Sequence, residues 1–189
     1  PLVGNIPFML DFQLLDGSGS LIDLNNNTIT LTGFAFGARG SPSGGGIGTG
    51  GVSGSLASGI TLKDTQFFSE YSENFTPGTL LSFTIDTTNV LDSGGTPDLF
   101  TVAILDSLGN ELPTAGPSGE FLDVSLAGGA SPQVSTYSSA PGSTFSLAAP
   151  TVEPGSAAPE PSSYWELLTV LLALGLGKVL RSRVVGDSA

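Results

Sequence analysis

Short alternating apolar segments, each ended by turn-forming residues, recur through residues 1–147 and constrain the fold more than any other feature of the chain. In the first segment, residues 8–14, every second position is Phe or Leu, while Asp11 and Gln13 occupy the other face. A period of two with aromatic residues predicts a half-buried strand. The strand is predicted to end in the run Asp-Gly-Ser-Gly-Ser at residues 16–20, which has strong turn chemistry.

The later segments predict further strands. The second strand is predicted over residues 28–36, with a bulge at Gly33, because Leu31 and Phe34 belong to opposite phases of the alternation. Residues 60–75 fit two patterns, since Phe67, Tyr71 and Phe75 recur every four positions; the turn-rich flanks favour a strand over a helix. Alternation predicts a strand at residues 81–85, and the mostly apolar residues 99–105 predict a central strand buried on both faces. Weaker segments predict strands at residues 121–126 and 133–137, and residues 145–148 are expected to close the sheet.

The segment from Gly37 to Gly54 has a different composition. It consists largely of Gly and Ser and offers little apolar surface to bury. We therefore predict a long flexible loop here. It does not match a phosphate-binding loop, because no Lys-Ser or Lys-Thr pair follows it.

These patterns together predict an all-β protein with a jelly-roll-like β-sandwich over residues 1–147. Residues 148–163 hold four prolines among Ala, Ser and Gly, and they predict an extended linker. Residues 164–189 form the third part, a C-terminal hydrophobic helix followed by a basic tail.

Composition excludes several functions. The chain has no His and no Cys, so a Ser-His-Asp triad, a thiol nucleophile and a thiolate metal site are all excluded. The net charge of −12 argues against nucleic-acid binding. Carboxylate pairs could support glycoside hydrolysis, but nothing in the sequence places any two across a cleft, so we predict no enzymatic activity. The carboxylates considered for that role are Glu70, Glu73, Glu111 and Glu120.

Loop oxygens suggest one cofactor. Asp16 and Asp23, with Ser18 and Ser20 between them, are spaced as Ca²⁺ ligands could be, although the EF-hand pattern fails because Leu21 takes the glycine position. A simple polar turn is the alternative. Otherwise no cofactor is predicted. Further loop oxygens that the fold could bring together belong to Asp92 and Asp98, and separately to Asp106 and Asn110.

The C-terminal part has the features of a membrane span. Residues 164–180 would form a helix of roughly 25 Å, slightly short of a hydrocarbon core of roughly 30 Å. Tyr164 and Trp165 stand at one end, and the basic residues that would stop the span in the membrane follow it, at Lys178, Arg181 and Arg183. The alternative is an apolar helix packed on the sandwich, since only residues 167–177 are free of charge.

The motif order gives a more specific indication. Pro159-Glu160-Pro161, then a short apolar segment, then Arg181-Ser182-Arg183, resembles the PEP-CTERM sorting signal of exported proteins from Gram-negative, biofilm-forming bacteria. The extension after Arg183 and Glu166 at the start of the apolar segment depart from that pattern. The body also resembles the β domains that carry this tail, for example in Phe34-Ala35-Phe36-Gly37 and Pro97-Asp98-Leu99-Phe100.

The resemblance implies a processing site at Pro159, Glu160 and Pro161 for a membrane protease of the exosortase type. It also implies export, with a transient membrane anchor and then a place at the cell surface or in the extracellular matrix. A signal peptide would then precede Pro1, so we expect the chain to begin at a mature or truncated N-terminus.

The charge divides in the same way. Residues 1–161 hold 15 acidic residues against Arg39 and Lys63, a net charge of −13, whereas residues 162–189 carry a net charge of +1. An acidic outer domain and a basic inner end agree with the positive-inside rule. The predicted function is non-catalytic, structural or adhesive, in association with exopolysaccharide or other surface proteins. The alternative is a carbohydrate-binding module at the cell surface, with Tyr71 and Tyr137 as the glycan contacts.

Overall fold

The computed structural model describes residues 7–18, 24–129 and 131–154. Within them the chain is all-β: it has no helix, and ten strands follow one another. The chain divides into two units after Thr151, and all ten strands belong to the first. The strands are β1 (Phe8–Leu15), β2 (Thr28–Ala35), β3 (Ser41–Thr49), β4 (Gly51–Ser55), β5 (Gly59–Lys63), β6 (Phe68–Thr76), β7 (Ser82–Thr87), β8 (Asp98–Leu105), β9 (Leu122–Leu126) and β10 (Gln133–Thr136).

The strands form two antiparallel sheets. The larger sheet has six strands in the order β10-β9-β8-β1-β6-β3, and the smaller has four in the order β4-β5-β2-β7. The first strand, β1, therefore lies between β8 and β6, which are distant from it in sequence. This order places the loops before β8 beside the turn that follows β1.

Both sheets contribute to one hydrophobic core. Phe12 on β1 is fully buried, and its ring lies 5.8 Å from that of Phe83 and 5.9 Å from that of Phe34, both on the smaller sheet. On its own sheet it stacks on Phe100 at 6.5 Å. The alternation predicted for residues 8–14 is confirmed, because Phe8, Leu10, Phe12 and Leu14 are all buried.

Two further expectations about strands are confirmed. The register between β2 and β7 shifts between Thr32 and Ala35, and Gly33 there has a φ of +66°. This is the bulge that the change of phase at Gly33 predicted. Residues 60–75 contain strands rather than a helix, since β5 and β6 occupy them apart from residues 64–67, which connect the two strands.

The prediction of a flexible loop from Gly37 to Gly54 was wrong. Strands β3 and β4 occupy most of this segment, and β3 pairs with β6 through two register irregularities. The ladder needs only backbone groups, so the lack of apolar side chains did not prevent it. Glycine also permits a close approach, because a Cβ on Gly46 would lie 2.0 Å from the Tyr71 hydroxyl oxygen.

The prediction of a closing strand at residues 145–148 was also wrong, because these residues have no regular structure. The segment nevertheless packs on the core: the Phe145 ring lies 5.6 Å from that of Phe8, and the Ser139 amide donates to the Leu147 carbonyl at 3.0 Å. Residues 148–154 of the predicted linker have no regular structure. The rest of the linker and the predicted C-terminal helix lie outside the described residues. Among the described residues, no helix has the length and apolar character that crossing a membrane requires.

Candidate metal centre

Three aspartates from two distant parts of the sequence meet at one end of the sheets. Asp16 directly follows β1, Asp98 begins β8, and Asp92 lies in the loop before β8. One carboxylate oxygen from each lies within 4.8 Å of the other two. All three side chains are buried, with 3%, 0% and 3% of their surfaces exposed for Asp16, Asp98 and Asp92. We call these three residues the aspartate cluster.

The turn after β1 supplies backbone donors to the cluster. The Gly17 amide donates to Asp98 Oδ1 at 2.8 Å, and the Ser18 amide donates to Asp16 Oδ1 at 2.7 Å and Asp92 Oδ2 at 3.0 Å. Glycine is required at residue 17, because a Cβ there would lie 2.3 Å from the Pro97 carbonyl oxygen. The turn and the loop before β8 thus pack backbone against backbone.

Two asparagines before β2 donate to the same carboxylates. Asn26 Nδ2 donates to Asp92 Oδ1 at 2.6 Å, and Asn27 Nδ2 donates to Asp98 Oδ2 at 2.8 Å. Asn27 is fully buried, and its Oδ1 accepts from the Val90 amide at 2.9 Å. These bonds connect the start of the smaller sheet with the aspartate cluster on the larger one.

Burial and mutual repulsion disfavour the charged form of the carboxyls in this site. Burial raises the pKa of Asp98 from 3.8 to about 6; hydrogen bonds from Gly17 and Asn27 oppose this rise, and the charges of Asp92 and Asp64 add to it. Burial also raises the pKa of Asp64, whose Oδ2 accepts from the amides of Asn26 and Asn27. The described residues contain only two cationic side chains, Arg39 and Lys63, and neither forms an ion pair with the cluster.

The structure places the predicted Ca²⁺ candidates differently. Asp16 belongs to the aspartate cluster, and so do Asp92 and Asp98, which the sequence offered as loop oxygens that the fold could bring together. Asp23 lies outside the described residues. Asp106 and Asn110 form a turn of their own: Asp106 Oδ1 accepts from the Leu108 and Asn110 amides at 2.8 and 2.9 Å, and hydrogen bonds from Asn110 lower the pKa of Asp106.

Sequence reasoning missed Asn26, Asn27 and Asp64. The asparagines stand directly before the strand predicted at residues 28–36, and this position is their only sequence signal. Asp64 lay inside the segment 60–75 that predicted a strand, whereas in the structure it directly follows β5. Among the described residues, the assembled site offers carboxylate, side-chain amide and hydroxyl oxygens. Oxygen-only donor sets are typical of hard cations such as Ca²⁺.

Tyr71 and Glu73 are buried and hydrogen-bonded to each other inside the domain. Tyr71 is 3% exposed, and its hydroxyl donates to Glu73 Oε2 at 2.5 Å. A buried ring has no face for a sugar, which corrects the assignment of Tyr71 as a glycan contact. Glu73, considered above for catalysis, is 2% exposed and accepts from the Gly44 amide on β3 and from the Leu56 amide in the turn after β4. Burial and the bond to Glu73 raise the pKa of Tyr71 above its ordinary value of 10.

The other glycan candidate, Tyr137, is partly exposed. Its hydroxyl donates to Asp123 Oδ2 at 3.2 Å, and Gly116 packs against its ring. Burial, with the charge of Glu120, raises the pKa of Asp123 and also that of Glu111. Tyr137 therefore lies in an acidic environment that includes two of the carboxylates considered for catalysis.

The predicted processing motif and membrane stop cannot be placed. Pro159, Glu160, Pro161, Lys178, Arg181 and Arg183 all lie outside the described residues. Comparisons with protein-family models, with curated proteins and with solved structures found no match.

Proposed function

We propose that this chain is an exported, non-catalytic protein of the cell surface or extracellular matrix, sorted by a C-terminal PEP-CTERM signal. The observation that carries the proposal is the order of elements: an acidic all-β domain, a Pro-rich segment with Pro159-Glu160-Pro161, an apolar segment and a basic end. In this proposal the two sheets form a jelly-roll-like sandwich, and residues 164–189 form a helix that anchors the chain transiently in the membrane.

The proposed partners follow from the same order. An exosortase-type protease would process the chain at Pro159-Glu160-Pro161, with the basic residues on the cytoplasmic side. The released domain would associate with exopolysaccharide or with other surface proteins. Its net charge of −13 over residues 1–161 favours solubility and opposes self-association in that setting.

Processing is tested by replacing Glu160 with alanine. We expect the exported, unaltered chain to end near residue 161, whereas most of the Glu160→Ala variant keeps its C-terminus through Ala189. Mass spectrometry of the C-terminal peptide, in a Gram-negative host that has an exosortase, measures both. Glu153→Ala is the matched control, because Glu153-Pro154 is another Glu-Pro pair just upstream. An intact C-terminus on the unaltered chain at the cell surface would refute processing.

Carbohydrate binding is the second candidate, and the partly exposed Tyr137 favours it. An aromatic ring beside carboxylates is a common arrangement for sugar recognition, since the ring stacks and the oxygens accept from hydroxyls. We expect any reproducible signal on a glycan array to fall at least about tenfold in Tyr137→Ala. The same signal should persist in Leu108→Ala, which changes an apolar side chain that is 84% exposed. Binding that survives Tyr137→Ala would remove Tyr137 from the site.

A further inference from the structure

One oxygen of the aspartate cluster has no hydrogen-bond donor. Asp16 Oδ2 is buried from solvent and receives no hydrogen bond from any described residue, while Oδ1 of the same carboxyl accepts from both the amide and the hydroxyl of Ser18. A buried carboxylate oxygen left without a partner costs free energy. This oxygen belongs to a side chain that is 97% buried and faces two further carboxylates.

A second buried oxygen of the site also has no hydrogen-bond donor among the described residues. Asn26 Oδ1 is buried and accepts no hydrogen bond from the described residues, although Asn26 Nδ2 donates to Asp92. The site thus combines three like charges with two buried acceptors that lack donors. A bound cation would satisfy both features at once, because it draws oxygens together and neutralises their charge.

The carboxylate oxygens lie close enough together to bind one Ca²⁺ ion. Ca²⁺ binds oxygens at about 2.3–2.6 Å, so two of its ligands lie at most about 5 Å apart. The three carboxylate oxygens, all within 4.8 Å of one another, fall inside that limit. Mg²⁺ binds at about 2.0–2.1 Å, demands a near-ideal octahedron and gives up its water reluctantly.

We propose that Asp16, Asp92 and Asp98 bind one Ca²⁺ ion, and that this ion fastens the turn after β1 to the loop before β8. The two segments are separated by more than 70 residues in sequence, and hydrogen bonds from the Gly17 and Ser18 amides to Asp98 and Asp92 connect them in addition to their backbone packing. Calcium thereby stabilises the end of the domain at which β1 ends and β2 and β8 begin. The proposal does not depend on the sorting signal, since all its residues lie in the strand domain.

Calcium titration of the full chain tests the proposal. We expect isothermal titration calorimetry to give one site, and the melting temperature to rise by about 5–10 °C when free Ca²⁺ exceeds the dissociation constant a hundredfold. Mg²⁺ at the same concentration and ionic strength should give a clearly smaller rise. No heat of binding and no shift beyond the Mg²⁺ control would overturn the proposal.

Asp16→Asn distinguishes two explanations of the aspartate cluster: a calcium site, and a set of carboxyls that share a proton without binding a metal. Without calcium the variant should melt at the same or a higher temperature, because one of three like charges is gone and the new amide can donate to its neighbours. With calcium it should lose most of the rise. A rise that stays complete in Asp16→Asn would overturn the proposal.

Two more variants complete the experiment. Asp92→Asn should weaken calcium binding at least about tenfold, and its loop position makes it less demanding for folding. Asp86→Asn is the matched control, because Asp86 is exposed on β7 and does not belong to the aspartate cluster. It should keep the full calcium response. An equal loss of response in Asp86→Asn would show that calcium acts through the general charge of the domain, and would overturn the site.

Discussion

Replacing Glu73 with alanine is expected to lower the free energy of unfolding by about 3–5 kcal/mol. Glu73 Oε2 accepts from the Leu56 amide at 2.9 Å and from the Tyr71 hydroxyl at 2.5 Å, and both donors are buried. Each donor left without an acceptor costs about 1–3 kcal/mol, and the vacated volume adds to the loss. Urea unfolding of the full chain at pH 7, followed by circular dichroism, measures the change.

The same side chain also explains how the glycine-rich segment is held. Glu73 Oε1 accepts from the Gly44 amide at 3.1 Å, within the irregular pairing of β3 with β6. A strand rich in Gly and Ser has few side chains with which to pack, so hydrogen bonds donated by its backbone to a buried carboxylate take over part of that role. Alanine at residue 73 should therefore also speed amide hydrogen exchange at Gly44 and Leu56.

A second substitution sharpens the test. Tyr71→Phe alone should cost about 1 kcal/mol, because it removes one hydrogen bond to Glu73. In the Glu73→Ala background it should instead recover about 1 kcal/mol, since it removes a hydroxyl that already lacks its acceptor. Glu153→Ala, the same substitution at an exposed position, should stay within about 0.5 kcal/mol of the unaltered chain. A loss below about 1 kcal/mol in Glu73→Ala would contradict this account.

Much of the strand pattern could be predicted because it depends on local periodicity. The alternation in residues 8–14 gave β1 and its buried face, and the change of phase at Gly33 gave the bulge in β2. Strand β3 could not be predicted in this way, because its pairing uses backbone groups and the side chain of Glu73 on another strand. No local pattern encodes a hydrogen bond between residues 44 and 73.

Local sequence patterns also could not predict the aspartate cluster. Asp16, Asp92 and Asp98 could each be recognised as loop oxygens, but their meeting depends on β1 lying beside β8. That neighbourhood is a property of topology, which alternation does not determine. The buried asparagines were missed for a related reason, since Asn27 is ordinary loop chemistry until its amide is placed against Asp98.

The outer face of β1 also departs from the simple pattern. Alternation assigns Asp11 to solvent, yet it is 3% exposed, and so is Ala103, its register partner on β8. Burial raises the pKa of Asp11 from 3.8 to about 6, and the charges of Glu70 and Glu111 add to the rise, while the hydrogen bond from Gln13 opposes it. The facing groups are thus Glu70 on β6, Glu111 in the loop after β8 and Gln13 on the same strand.

The hydrogen bonds around Asp11 fit a protonated carboxyl. Gln13 Nε2 donates to Asp11 Oδ2 at 2.6 Å, while Asp11 Oδ1 is buried and has no donor among the described residues. Glu70 lies within hydrogen-bonding reach of Asp11. A proton on Oδ1 could be donated to Glu70, which would satisfy the buried oxygen and remove one of two adjacent charges.

We therefore expect Asp11 to make the domain less stable as the pH rises from about 4 to about 6. A carboxyl whose pKa is higher in the folded than in the unfolded state binds more protons when folded, so its contribution is complete below pH 4 and is lost through pH 6. The shift of about two pKa units corresponds to about 2–3 kcal/mol. Asp11→Asn should lack this loss, because the amide keeps an acceptor for Gln13 and can donate to Glu70 without titrating.

Urea unfolding between pH 5 and pH 8 measures this effect and avoids precipitation near the isoelectric point of about 4.1. The stability of Asp11→Asn relative to the unaltered chain should grow across that interval and reach about 2 kcal/mol at pH 8. Asp98, whose pKa is also raised to about 6, gives both proteins the same additional slope, so their difference isolates Asp11. Asp86→Asn should follow the unaltered chain at every pH, and so would Asp11→Asn if Asp11 were an ordinary exposed carboxylate.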